Sequence, residues 1–196
     1  LKKLVLIVIL LVMFGQVCYA SPLNDFTRGD TSVTLISGIH TFEGSNGIDF
    51  TISTGLGNDW ATSYRQTDYD TSYHDSAYRV KNRELNILRK ITDNLQIYTG
   101  YSMTMGCDKL IGQDLKDKGV MQVGIIASKK LGDNTTLYTV LGGGENVTNI
   151  EFGLSHQLNA GLEITATYRH FTVEKVGPSQ IKENLRGFGL GLTFKI

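Results

Sequence analysis

Ten stretches of this chain alternate large apolar residues with small or polar ones at a period of two. In "GIDFTISTGL", Ile48, Phe50, Ile52 and Leu56 share one face, against Asp49, Thr51, Ser53 and Gly55. In "LEITATYRH", Leu162, Ile164, Ala166 and Tyr168 oppose Glu163, Thr165, Thr167 and Arg169. Successive strand side chains point to opposite faces, so this pattern predicts half-apolar β-strands. The expected strands are 31–40, 47–56, 59–68, 82–91, 95–105, 119–130, 134–144, 148–157, 161–174 and 185–196. Strands average about 5–6 residues in water-soluble proteins, whereas a tilted strand that crosses a bilayer needs about 9–11. Segments of this length predict an all-β, up-and-down antiparallel transmembrane barrel of ten strands. Eight strands is the alternative, because 59–68 and 82–91 are the least regular segments and Arg89 falls on the apolar face.

The connections carry a second signal. Alternate ones are tight and centred on Asn, Asp or Gly: "GLGNDW" (55–60), "ITDNL" (91–95), "LGDNT" (131–135) and "LNAGL" (158–162). Such residues tolerate the backbone angles of hairpin turns. The others, at 41–46, 69–81, 106–118, 145–147 and 175–184, vary more. Two of these are expected to be long polar loops, 69–81 and 106–118. Short turns at one end and longer loops at the other is the layout of an outer-membrane barrel, with tight turns toward the periplasm. Trp60, Tyr64, Tyr101, Phe152, Tyr168, Phe188 and Phe194 fall on or near the apolar faces, several near strand ends, where interfacial aromatic girdles belong.

Alternation alone does not say which face is inside. The polar face is rich in small residues, among them Ser53, Gly55, Gly100, Gly124, Gly153, Gly187, Gly189 and Gly191. Small side chains suit a narrow, crowded interior. The charges on that face are of both signs: Asp49, Arg65, Glu84, Glu151, Glu163, Arg169 and Lys195. Buried charges must pair, so these seven are expected to form a lumen network of ion pairs and hydrogen bonds.

Residues 1–20 have a basic start at Lys2 and Lys3, an apolar run from Leu4 to Phe14 and a small residue at Ala20. That is the layout of a secretory signal peptide, and the expected domains are 1–20, signal peptide, and 21–196, barrel. Without Lys2 and Lys3, seventeen Lys and Arg face nineteen Asp and Glu, a formal charge of −2. No basic field is left to attract nucleic acid. Cys107 is then the one remaining cysteine, so no internal disulfide forms.

The segment Gly189–Ile196 resembles the β-signal of bacterial outer-membrane proteins, with Gly191, Phe194 and Ile196 at the matching positions. Gly189 stands where a polar residue is usual. The resemblance implies recognition by the barrel-assembly machinery. The whole chain is similar to the small outer-membrane barrels of the OmpX-, OmpA- and opacity-like class. Its segment "SPLNDFTRGDTSVTL" is also similar to small barrel proteins of diderm Firmicutes, which open with Pro-Leu-x-Asp-Phe.

Other motifs carry less. Arg28-Gly29-Asp30 spells an integrin-binding tripeptide but precedes the first strand, on the expected periplasmic side. His156 to Gly161 distantly resembles a segment of lipid A deacylases, with Leu158 in place of the serine nucleophile, so acyl-enzyme chemistry is excluded. His74 and Asp75, near Asp68 and Asp70, resemble the acidic and Asp–His pairs of omptin proteases only in composition. His40, His74, His156 and His170 lack metal-ligand spacing, and Cys107 alone completes no site. "LGGGEN" (141–146) lacks the lysine and helix of a phosphate loop.

The expectation is a non-enzymatic outer-membrane barrel of the bacterial envelope, without cofactor or metal. Its narrow lumen is largely filled by side chains, and it serves envelope integrity or adhesion through its outer loops. A small porin-like channel for ions or small solutes is the alternative, and a secreted, soluble, lipocalin-like barrel is the third reading. The partners expected are outer-membrane lipids, the barrel-assembly machinery and a host or cell-surface ligand; no nucleic acid is expected, and the chain is expected to be a monomer.

Overall fold

A computed structural model describes residues 26–41, 46–73, 76–108, 113–176 and 181–196. The expected signal peptide, 1–20, lies outside the described residues, as do His74 and Asp75. The described residues form ten antiparallel strands: β1 Thr31–Thr41, β2 Asn46–Gly57, β3 Trp60–Tyr73, β4 Ser76–Thr92, β5 Leu95–Asp108, β6 Gln113–Lys130, β7 Thr135–Gly144, β8 Val147–Asn159, β9 Leu162–Val176 and β10 Ile181–Lys195. Each pairs with its sequence neighbour, and β1 pairs with β10, which closes the barrel. At the closing seam Val33 faces Phe194, Leu35 faces Leu192 and Ser37 faces Leu190. Thr31 and Ile196 exchange both backbone hydrogen bonds at its lower end, at 3.0 and 2.8 Å. Closure leaves no unpaired sheet edge.

Tight turns mark one end of the barrel. Asn58 and Asp59 both have positive φ, 54° and 64°, between Gly57 and Trp60. Two such residues in sequence are the signature of a two-residue hairpin whose twist matches its strands. Residues 26–30 fold back against this same end. Gly29 N–H donates to the Gly55 carbonyl at 3.1 Å, and Gly57 N–H donates to the Phe26 carbonyl at 3.0 Å. Gly55 is needed here, because a Cβ would run into the backbone of Phe26 and Thr27. The fold-back carries the Phe26 ring into the mouth of the barrel, where it is buried.

The opposite end differs from the sequence expectation. The long polar loops expected at 69–81 and 106–118 are mostly strand. β3 continues to Tyr73 and β4 begins at Ser76, while β5 continues to Asp108 and β6 begins at Gln113. On the outer face the β3–β4 hairpin is stitched by polar pairs. Arg83 Nε donates to Gln66 Oε1 at 3.4 Å, Lys81 Nζ lies 3.7 Å from Asp68, and Arg79 lies 3.4 Å from Asp70. Polar outer residues broke the expected apolar alternation without breaking the ladder.

The reason is a reversal of phase along the strands. In the lower part, apolar side chains point outward and polar ones inward. Leu85, Ile87, Leu190 and Leu192 are exposed, while Glu84, Asn86 and Thr193 are buried. Toward the long hairpins the pattern inverts. Tyr69, Val80, Val120, Phe171, Val173 and Leu185 are buried inside, with charged Arg79, Arg83 and Arg186 exposed outside. The upper part is therefore built like a barrel in water, and the lower part like one in an apolar medium.

Candidate functional site

The interior is stacked in layers. An apolar cluster of Ile36, Tyr69, Val80, Val120, Val147, Phe171, Val173 and Leu185 fills the long-hairpin end. A second cluster, Phe26, Ala61, Leu88, Tyr98, Ile126, Tyr138 and Val140, fills the tight-turn end. Charges lie between them, one from each of five strands: Asp49 on β2, Arg65 on β3, Glu84 on β4, Glu151 on β8 and Arg169 on β9.

Arg169 is the centre of that layer. It is 1% exposed and draws on four strands. Its Nη1 donates to Asp49 Oδ2 at 2.7 Å and to Thr67 Oγ1 at 2.7 Å. Its Nη2 donates to Glu84 Oε1 at 3.1 Å, and its Nε donates to Asn149 Oδ1 at 2.9 Å. The guanidinium also lies 4.8 Å from the Phe171 ring centroid, at the edge of the upper apolar layer. Arg65 grips Asp49 from the other side, with Nε at 2.9 and 2.8 Å from its two oxygens. Arg65 Nη2 is 2.8 Å from Glu151 Oε2, at an angle that makes this a charge contact rather than a hydrogen bond.

Neutral side chains complete the shell. Tyr138 OH donates to Glu151 Oε1 at 3.0 Å. Asn82 donates to Glu84 Oε1 at 2.8 Å and accepts from Ser102 and Thr104, both at 2.9 Å. Gln122 donates to Glu84 Oε2 at 3.1 Å and to Asn86 Oδ1 at 2.7 Å. Both oxygens of Asp49 and of Glu84 accept hydrogen bonds, and Glu151 accepts one at Oε1 while its Oε2 is held by the Arg65 charge; desolvated ions need such partners. Three carboxylates, Asp49, Glu84 and Glu151, face two guanidiniums, so the five named groups carry a formal charge of −1. A cavity of about 60 Å³, lined in part by Arg65, Glu84, Glu151, Asn86, Tyr98 and Tyr138, lies beside them. It has room for water, which would meet polar partners there.

All seven charges singled out in the sequence point inward, but they form two groups. Asp49, Arg65, Glu84, Glu151 and Arg169 make one cluster. Glu163 and Lys195 form a separate ion pair near the tight-turn end, where Ser155 donates to Glu163 Oε2 at 2.8 Å. Sequence reasoning missed the amides Asn82, Asn86, Gln122 and Asn149, which fall in the same phase as the charges. It also missed the inner tyrosines. Tyr98 lies against Gly124 and Gly142, and Tyr138 against Gly153, so closely that a Cβ at any of these glycines would collide with the ring. A large ring opposite a bare backbone on the next strand was the available signal.

Of the residues matching the β-signal, Phe194 and Ile196 point outward and are exposed. Gly191 lies against β1, where a Cβ would press on Ile36 and the Leu35 carbonyl. Arg89, the charge out of place on the apolar face, lies 5.2 Å from the Trp60 ring centroid beside the tight turn. A cation over an indole face there needs no change of register. Arg28-Gly29-Asp30 lies at the tight-turn end, in the fold-back. Among the described residues, no three His, Cys, Asp or Glu side chains are grouped to hold a metal ion.

No protein-family model matches the chain, and no curated protein matches it in sequence. Solved structures with a similar fold include the Yersinia pestis outer membrane protein Ail in a phospholipid nanodisc, 13% identical over 86% of this chain and 100% of that one, TM-score 0.47. The N-terminal β-barrel domain of Pseudomonas aeruginosa OprF is 10% identical over 86% of this chain and 98% of that one, TM-score 0.38. Neisserial surface protein A is 16% identical over 86% and 93%, TM-score 0.39.

Proposed function

We propose that this chain is a non-enzymatic outer-membrane β-barrel protein that serves envelope integrity or surface adhesion through the hairpins at its long-hairpin end. The reversal of phase along the strands carries the reading. Leu190, Met121 and Val123 are 67%, 66% and 64% exposed on the outside of a barrel whose interior holds five clustered charges. Water does not tolerate an apolar surface of that extent, but lipid does. From Phe188 to Ile196 the outward apolar run on β10 covers eight steps, about 26 Å along the strand. With a strand tilt near 40° its height is about 20 Å, close to the ~25 Å apolar band of outer-membrane barrels. A secreted soluble barrel would need the opposite phase throughout.

The layered interior favours a filled barrel over a channel. A solute entering from either end meets an apolar cluster first, Phe26 below or Phe171 and Tyr69 above. The upper strands, polar outside, would project the long hairpins above the lipid toward a surface ligand. Refolding in detergent followed by planar-bilayer recording tests the proposal. The folded protein is expected to migrate differently before and after boiling and to give no stable single-channel steps. Steady conductance steps would favour the channel instead, and a monomer soluble without detergent would refute both.

A further inference from the structure

The charge layer inside the barrel is not balanced. Asp49, Glu84 and Glu151 face Arg65 and Arg169, one negative charge in excess, between the two apolar clusters. The Glu163–Lys195 pair near the tight turns is neutral in itself and supplies no spare cation. Asp49 and Glu84 accept at both oxygens from N–H and O–H donors, so neither carries a proton of its own. Glu151 differs. Its Oε1 accepts from Tyr138, while Oε2 accepts no hydrogen bond and lies 2.8 Å from Arg65 Nη2. An uncompensated charge held away from water is costly and calls for a counter-charge.

The cavity of about 60 Å³ beside this layer has the room and the oxygens to hold one. Glu84 and Glu151 line it, as do Ser53 and Ser63, which pair directly across β2 and β3. Tyr98 lines it from β5. That residue is 7% exposed, and its hydroxyl has no hydrogen-bond partner among the described residues. The hydroxyl sits over Gly142, where a Cβ would collide with it. Gly142 pairs across β7 and β8 with Asn149, another residue of the cavity wall. Buried hydroxyls are normally bonded, so an unpartnered one beside the excess carboxylate marks a ligand position. Carboxylate and hydroxyl oxygens suit a hard cation. A divalent ion would turn the excess of one negative charge into one positive charge, so charge selects a monovalent one. We infer that the cavity binds one alkali cation, held by Glu151 Oε2, the Tyr98 hydroxyl and water, as the counter-charge of the layer. With an apolar cluster at either end of the lumen, the ion is taken up as the barrel closes, and its binding is read in unfolding.

Urea unfolding of protein refolded in uncharged detergent tests it, with sodium chloride exchanged for choline chloride at one total salt concentration, which holds screening constant. A ligand of the folded state stabilises by mass action. Raising sodium about a hundredfold through half-saturation should therefore lower the wild-type unfolding constant about tenfold. Glu151→Gln balances the layer and keeps an acceptor for Tyr138, and its unfolding constant should be the same in both salts. Tyr98→Phe keeps every charge and removes only the hydroxyl, and its sodium response should shrink to about threefold. A full sodium response in either folded variant would overturn the inference by placing the ion elsewhere. Equal wild-type stability in the two salts would overturn it as well, and would leave a proton on Glu151 as the counter-charge. If Glu151→Gln does not fold, Tyr98→Phe decides by the same reading. None of these outcomes touches the membrane reading, which rests on the outer face.

Discussion

Arg169 and Asp49 stand 120 positions apart in the chain and 2.7 Å apart across the lumen. Their contact joins β9 to β2, strands that share no ladder. Asp49 lies three strands around the ring from Arg169, and Glu84 on β4, which Arg169 also holds at 3.1 Å, lies on the opposite wall, so Arg169 ties the barrel together through its interior. With Glu84 on β4 and Arg65 on β3, it braces the cross-section at the level where the outer face changes character.

Removing Arg169 should cost more than removing any one carboxylate. Arg169→Met leaves Asp49, Glu84 and Glu151 facing a single guanidinium, and stranding buried charge costs about 3–5 kcal/mol. Glu151→Gln brings the five-group layer to charge balance and keeps an acceptor for Tyr138, so its cost should be well below that. Urea unfolding of refolded protein, followed by Trp60 fluorescence, compares the two. Equal losses would contradict the charge count.

The tyrosine–glycine contacts should behave as pairs. Gly153→Val is expected to cost about 1–3 kcal/mol by overpacking against Tyr138. The double variant Gly153→Val, Tyr138→Ala should lose less than the sum of its parts. A double-mutant cycle on unfolding free energy reads that coupling, and strict additivity would show that ring and glycine do not touch.

Cost on the outer face should depend on depth. Leu190→Arg, in the apolar run, is expected to destabilise by about 2–4 kcal/mol in lipid. Arg83→Gln, on the polar collar, should fall within about 0.5 kcal/mol of wild type. Unfolding in lipid vesicles measures both. Similar tolerance at the two positions would remove the basis for placing the boundary between them.

The Phe26 fold-back should contribute as a core residue although it lies outside the strands. Phe26→Ala is expected to lose about 3–5 kcal/mol, and Gly55→Val, which blocks the close approach of residues 26 and 27, should release the same segment. Protease accessibility of residues 26–30 in the folded protein checks the second effect. Unchanged protection in Gly55→Val would mean that the segment is held by something else.

Much of this fold was legible in alternation alone. All ten strands were expected within a few residues where the outer face is apolar, as in β2, β5 and β8. The loop expected at 69–81 has a physical cause: Tyr69 and Val80 are apolar residues in the phase of the lumen charges, so a pattern read in a single phase ends too early and reports a loop. The lumen charges could be named because alternation puts Arg169 and Glu84 on the inner face. Their partition into a five-residue cluster and the Glu163–Lys195 pair could not, because it depends on barrel stagger, which tight-turn sequences do not encode. Phe26 was hidden for a different reason: it enters the core from a fold-back held by backbone hydrogen bonds, which leave no side-chain pattern.

Nitroxide scanning of β10 tests the central claim most directly. Single cysteines from Asn184 to Thr193, on a background with both Cys18 and Cys107 replaced by Ser and reconstituted in vesicles, would be spin-labelled and exposed to oxygen or a water-soluble nickel chelate. Positions 188, 190 and 192 should be relaxed mainly by oxygen, 184 and 186 mainly by the nickel reagent, and 185, 187, 189, 191 and 193 by neither. Nickel access to 188, 190 and 192 equal to that at 186 would contradict a lipid-facing lower barrel.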